Sequence, residues 1–148
     1  MPPRNLDQME TTELQQSFPN ITVEHVRVTL EVGEDYNCVA YAVDETEHYE
    51  PGSVAEMRRF MELRGYYEVP AGSYGADIDF LGVDPSYVRH VTRRYRGPWP
   101  MDVPPVVDLW ESKLGPGDMA ITHCRHDLSV SGANMTQLGG VIASFKKR

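Results

Sequence analysis

From Val26 to Val32 the apolar residues alternate with polar ones, at Val26, Val28, Leu30 and Val32. A period of two predicts a half-buried β-strand. Gly33-Glu34-Asp35 then turns the chain into Tyr36-Asn37-Cys38-Val39-Ala40-Tyr41-Ala42-Val43, where a short, wholly apolar helix is expected to start at Cys38. The acidic run Asp44-Glu45-Thr46-Glu47 ends it. The clearest helix is predicted over Ser53 to Arg64, where Ser53 and Glu56 have capping-box spacing and Gly65 supplies a stop. Val54, Met57, Phe60 and Met61 form one apolar stripe on that helix, which assigns it to the core. Gly65 to Pro70 reads as a short extended piece. Ala71-Gly72-Ser73-Tyr74-Gly75 reads as a loop whose glycines lack a phosphate-loop pattern.

Asp84-Pro85 predicts a second helix, with Asp as N-cap and Pro at the first position. Tyr87, Val88, Val91 and Tyr95 then fall on one side, and Gly97-Pro98-Trp99-Pro100 breaks the pattern. A short helix is expected over Val106 to Leu114, ending in Gly115-Pro116-Gly117-Asp118. Met119 to His123 reads as a strand, and a turn-rich segment from Asp127 to Gly132 leads to Ala133-Asn134-Met135-Thr136-Gln137. Val141 to Phe145 is the last expected strand. Residues 1–17 are polar and read as a flexible N-terminal arm or a frayed helix. Residues 18–148 read as one domain with no internal repeat. The expected fold class is α+β, with the Cys38 helix packed on a small antiparallel sheet.

A net charge of −8 over 148 residues weighs against nucleic acid or an anionic membrane as partner. The clusters Arg89/His90/Arg93/Arg94/Arg96 and Lys146-Lys147-Arg148 read as solvated faces. No apolar run approaches the ~18 residues of a membrane span, and the first residues lack the apolar core of a signal peptide. Two cysteines do not make a disulfide scaffold. The expected setting is cytoplasmic, or exported without a cleaved signal peptide.

Cys38 is the candidate centre of chemistry. Free N–H groups at a helix start favour thiolate over thiol, and a thiolate is a nucleophile. The competing reading is a small buried hydrophobe. Amide hydrolysis by a thiol also needs an imidazole, a group that orients it, and donors for the oxyanion. His25 reads as an edge residue, His48 lies in an acidic loop, and His90 sits in the basic predicted helix. His123 is preferred among the five histidines because it lies on the strand after the Pro-Gly-Asp turn. Asn134 or Gln137 would orient it. Asn37 would cap the helix or donate to the oxyanion. This set calls for no cofactor and no metal.

A thiol heading an apolar helix, followed by Pro-Gly-Asp and a His-bearing strand, resembles the papain-like superfamily, in its small NlpC/P60 and CHAP types. Phe18-Pro19-Asn20, Tyr36-Asn37-Cys38-Val39-Ala40-Tyr41-Ala42 and Thr122-His123 are also similar to a bacterial family with a Tyr-Asn-Cys-Ile-Ala-Trp-Ala-like motif and a later His-containing strand. Thr136-Gln137-Leu138-Gly139 resembles that family's Thr-Ser-Lys-Leu-Gly-like ending, without its Lys. Tyr41 stands where the motif has Trp. The resemblance implies a papain-like fold, Cys38 as nucleophile, His123 as base, and a peptide or other amide as substrate, hydrolysed, deamidated or used for acyl transfer. Two other readings are carried forward. One is a non-catalytic protein-binding module. The other is a zinc site using His123, Cys124 and His126, with Cys38 as a distant ligand.

Overall fold

A computed structural model of the chain describes residues 3–105, 107–114, 117–128 and 139–148. Seven strands form one antiparallel sheet: β1 (Val28–Leu30), β2 (Tyr66–Val69), β3 (Ile78–Gly82), β4 (His90–Arg94), β5 (Leu109–Lys113), β6 (Ala120–Cys124) and β7 (Gly140–Lys147), in the spatial order β1-β6-β5-β4-β3-β7-β2. The helices are α1 (Gln8–Ser17), α2 (Cys38–Ala42) and α3 (Val54–Glu62). Among the described residues only α1 and α3 reach seven residues. This overturns the expected papain-like α+β class: the molecule is mostly one large antiparallel sheet, with little helix. No helix among the described residues is long and apolar enough to cross a membrane.

Two expected helices are strands, and they are the sheet's central pair. The Tyr87/Val88/Val91/Tyr95 stripe belongs instead to β4 and its flanks. Asp84 caps no helix; its carboxylate accepts the backbone N–H and hydroxyl of Ser86 in a turn. The segment 106–114 contains β5, all five of whose residues are buried, Glu111, Ser112 and Lys113 included. A strand with both faces covered carries no polar-out alternation. Its buried charges therefore imitate the polar side of a helix.

The sheet has two covered faces. On one, α2 and α3 lay Cys38, Val39, Met57, Phe60 and Met61 over Ile78, Phe80, Val91 and Phe145. On the other, Leu14 of α1 joins Ile21, Val26, Leu81, Ile121 and Leu128. Segment 1–17 holds α1, whose Asp7 and Glu10 form a reciprocal capping box. Arg4 exchanges two backbone hydrogen bonds with Val28, extending the sheet beyond β1. The register of β4 on β5, Arg93 opposite Glu111 and Arg94 opposite Trp110, fixes which side chains share a face. Val91, Arg93, Glu111 and Lys113 lie on the α2 side. Thr92, Trp110, Ser112 and His123 lie on the α1 side.

Candidate functional site

Asn37 is the N-cap of α2: its Oδ1 accepts the N–H groups of Ala40 and Tyr49, each at 3.4 Å, and its Nδ2 donates to Tyr49 O at 2.6 Å. Capping therefore occupies both ends of this side chain. It fixes Cys38 at the first helical position, against the middle of the sheet. The backbone N–H groups of Val91, Val39 and Cys38 itself, with the Lys113 charge, favour the Cys38 thiolate. These groups pull the thiol's pKa down, but burial outweighs them and pushes it up to about 11. The residue is 6% exposed, so the resting sulfur is a protonated thiol at neutral pH.

Lys113 closes this environment. Its Nζ donates to Glu34 O at 2.7 Å and Asp118 O at 3.0 Å and lies 5.3 Å from the Tyr36 ring centre. Burial lowers its pKa. Ser112-Lys113-Leu114-Gly115 is an intact Ser-Lys-Leu-Gly run, which the ending sought at Thr136-Gln137-Leu138-Gly139 lacks. Matching that run in full was the signal for Lys113.

His123 lies across the sheet from Cys38. Its Nε2 is 2.7 Å from Ser112 Oγ and 3.2 Å from Thr92 Oγ1, and its Nδ1 is 2.8 Å from Cys124 O. The Nδ1–H tautomer satisfies this network, with Nε2 accepting from Ser112. Burial lowers the His123 pKa to about 4. The structure therefore does not bring the expected nucleophile and base together. Asn134 and Gln137 lie outside the described residues. His90 is 3% exposed, on the same face as Thr92, and its Nε2 meets no hydrogen-bond partner among the described residues.

Among the described residues a thiol–imidazole contact belongs to the other cysteine: Cys124 Sγ lies 3.1 Å from His25 Nδ1. Burial, then Asp127 and Asp108, push the Cys124 pKa to about 11. For zinc, His123 and Cys124 leave β6 on opposite faces, and no group of three potential ligands occurs among the described residues. Cys124 is part-exposed and Cys38 sealed. Iodoacetamide at neutral pH is therefore expected to label Cys124 at least about tenfold faster than Cys38. Peptide mapping by mass spectrometry after timed quenching measures the ratio, and faster labelling of Cys38 would refute the closed geometry.

Comparison with known proteins places residues 27–146 in one match, to a family model described as a domain of unknown function (DUF7689). No curated protein and no solved structure matches the chain.

Proposed function

The chain belongs to the DUF7689 family, and for this member we propose thiol-dependent acyl chemistry on an amide, with Cys38 as nucleophile and Lys113 in place of His123 as its charged partner. One observation carries the reading. Tyr36-Asn37-Cys38 and Lys113, from distant parts of the chain, come together: Lys113 Nζ lies 5.3 Å from the Tyr36 ring centre, and its charge favours the Cys38 thiolate together with the backbone N–H groups of Val91, Val39 and Cys38. Such donors stabilise a thiolate and the oxyanion that forms after attack. In the proposed cycle sulfur bonds to the carbonyl carbon, the C–N bond breaks, and the thiol proton leaves with the amine. Water or a second amine then releases the thioester. Asn37 holds the helix start and takes no part in proton transfer.

The substrate must open the site, because the resting sulfur is sealed. Glu34 and Asp118, whose carbonyls bind Lys113, lie on the covering loops, and Gly33 and Gly117 tie those loops to each other. The test uses a Cys124→Ser protein incubated with a panel of peptide thioesters and activated amides. An acyl adduct on Cys38 is expected in intact-protein mass spectra, labile to hydroxylamine. Lys113→Met should slow its formation by about tenfold or more, the scale of one lost charge interaction. Absence of any adduct in the folded protein, with normal reactivity after unfolding, would sink the proposal. It would favour the second reading, a binding domain, to which the sealed and protonated thiol already lends weight.

A further inference from the structure

Beside the Cys38 environment, on the same face, lies a cleft of about 370 Å³ lined by Thr29, Tyr41, Asp44, Arg93, Arg96 and Glu111, among others. Its floor is a buried ion pair. Glu111, 3% exposed, accepts Arg93 Nε at 2.8 Å and the Tyr41 hydroxyl at 2.8 Å. Arg93 also donates Nη1 to Tyr41 O at 3.0 Å and to Asp44. Its Nη2 meets no hydrogen-bond acceptor among the described residues.

The rim is different, because Arg96 is only loosely paired and one oxygen of Asp44 has no closer partner than Arg96 among the described residues. Arg96 Nη1 is 3.7 Å from Asp44 Oδ2, and Arg96 Nη2 is 3.5 Å from Tyr66 Oη, both at or beyond the limit of a useful hydrogen bond. Asp44 holds φ of 61°, the left-handed conformation that glycine normally takes after a helix end. A residue with a side chain at this position costs stability. Here it places a carboxylate beside two guanidinium groups. Two positive and two negative side chains make the cleft neutral in sum, with Arg93 and Glu111 on the floor and Arg96 and Asp44 at the rim.

We propose that this cleft binds a small zwitterion bearing a free carboxylate and a free ammonium, such as an α-amino acid or a short peptide. Arg96 and the Arg93 Nη2 edge take the carboxylate, and Asp44 takes the ammonium. A simple anion would meet Asp44 and Glu111 as repulsion, and a simple cation would meet the two arginines. A ligand with both charges satisfies the loose rim pair and leaves the floor intact. The inference does not rest on chemistry at Cys38, and binding can be read in a Cys38→Ser protein.

The probe is glycylglycine, titrated into ¹⁵N-labelled Cys38→Ser protein and followed by NMR. Saturable shifts are expected at the amides of Asp44, Arg93 and Arg96. N-acetylglycine, which lacks the ammonium, and glycinamide, which lacks the carboxylate, should each bind about tenfold more weakly, the effect of losing one such charge pair. Arg96→Gln and Asp44→Asn should weaken glycylglycine by a similar factor while the spectrum stays folded; Asn tolerates the left-handed backbone. The proposal is overturned if no saturable shift occurs up to the solubility limit. It is also overturned if either capped compound binds as well as glycylglycine, or if neither substitution changes affinity.

Discussion

Acidification from pH 7 to pH 4.5 is expected to remove about 5 kcal/mol of folding stability through His90 and His123 alone. Both rings are fully enclosed in the sheet, and burial lowers their pKa values to about 3 and about 4, from an ordinary 6.5. The sign follows from where the protons go. Below about 6.5 the unfolded chain takes up two protons that the folded chain refuses until the pH is far lower. The stabilising effect is complete above the ordinary imidazole value and is lost as the pH falls towards 4 and 3. While both groups differ between the states, the slope is about 2.7 kcal/mol per pH unit. Against the roughly 5–15 kcal/mol by which domains are stable, that is enough to bring unfolding within reach. The carboxylates whose pKa values are lowered by arginine partners, Glu10, Glu31 and Glu45, act in a lower window, below their ordinary value of 4.5.

His90→Leu separates this effect from general acid lability. The ring's Nε2 has no partner to lose among the described residues, so a leucine of similar size removes a buried orphan polar atom with the titration. Stability at pH 7 should hold or rise, and the slope between pH 6 and 4.5 should fall to about half. Urea unfolding at a series of pH values measures both. An unchanged slope in His90→Leu, or a wild-type protein as stable at pH 4.5 as at pH 7, would rule out the account.

The same two histidines show how far the amino-acid pattern reaches. Ser53 and Glu56 predicted α3, and the Ser53 hydroxyl does accept the Glu56 N–H at 3.1 Å. The alternation from Val26 located β1, and the apolar run after Asn37 located α2, because in each case one simple period agrees with one buried side. β4 and β5 were unreadable for the opposite reason. Their residues are buried on both faces, with Arg93, Glu111, Ser112, Lys113, His90 and Thr92 satisfied inside the sheet or enclosed in it, so no polar face remains to reveal a strand. Whether His123 faces Cys38 depends on strand parity relative to α2. That parity is set by the pairing of Trp110 with His123, which no local spacing encodes. The position of Cys38 at a helix start was legible; burial stood beside it as the competing reading, and burial decides its protonation.

Asp79→Ala is expected to cost on the order of 3–5 kcal/mol, lowering Tm by roughly 10–20 °C. Asp79 is fully buried on β3, and it holds Arg125 through two parallel bonds, Nε to Oδ2 at 2.7 Å and Nη2 to Oδ1 at 2.8 Å. Ser144 Oγ donates to Oδ1 as well, at 2.7 Å, and accepts the Gly72 N–H at 2.9 Å. Arg125 Nη1 reaches the carbonyls of Gly72 and Ser73, and its guanidinium lies 4.6 Å from the Trp110 ring centre. One carboxylate therefore organises β3, β7, the residue after β6 and the loop near Gly72. Removing it leaves a 5%-exposed guanidinium without its counter-charge, and that desolvated charge accounts for most of the loss. An Asp79→Leu/Arg125→Met double variant should recover much of the stability, since it removes both charges together. It should not restore the loop, whose amides at Gly72 and Ser73 would exchange faster with solvent deuterium than in the wild type. Chemical denaturation and hydrogen exchange read these effects separately. A cost below about 1 kcal/mol for Asp79→Ala would place the pair with surface ion pairs and contradict its burial. A double variant as unstable as the sum of its parts would show that the network acts through shape and not through charge.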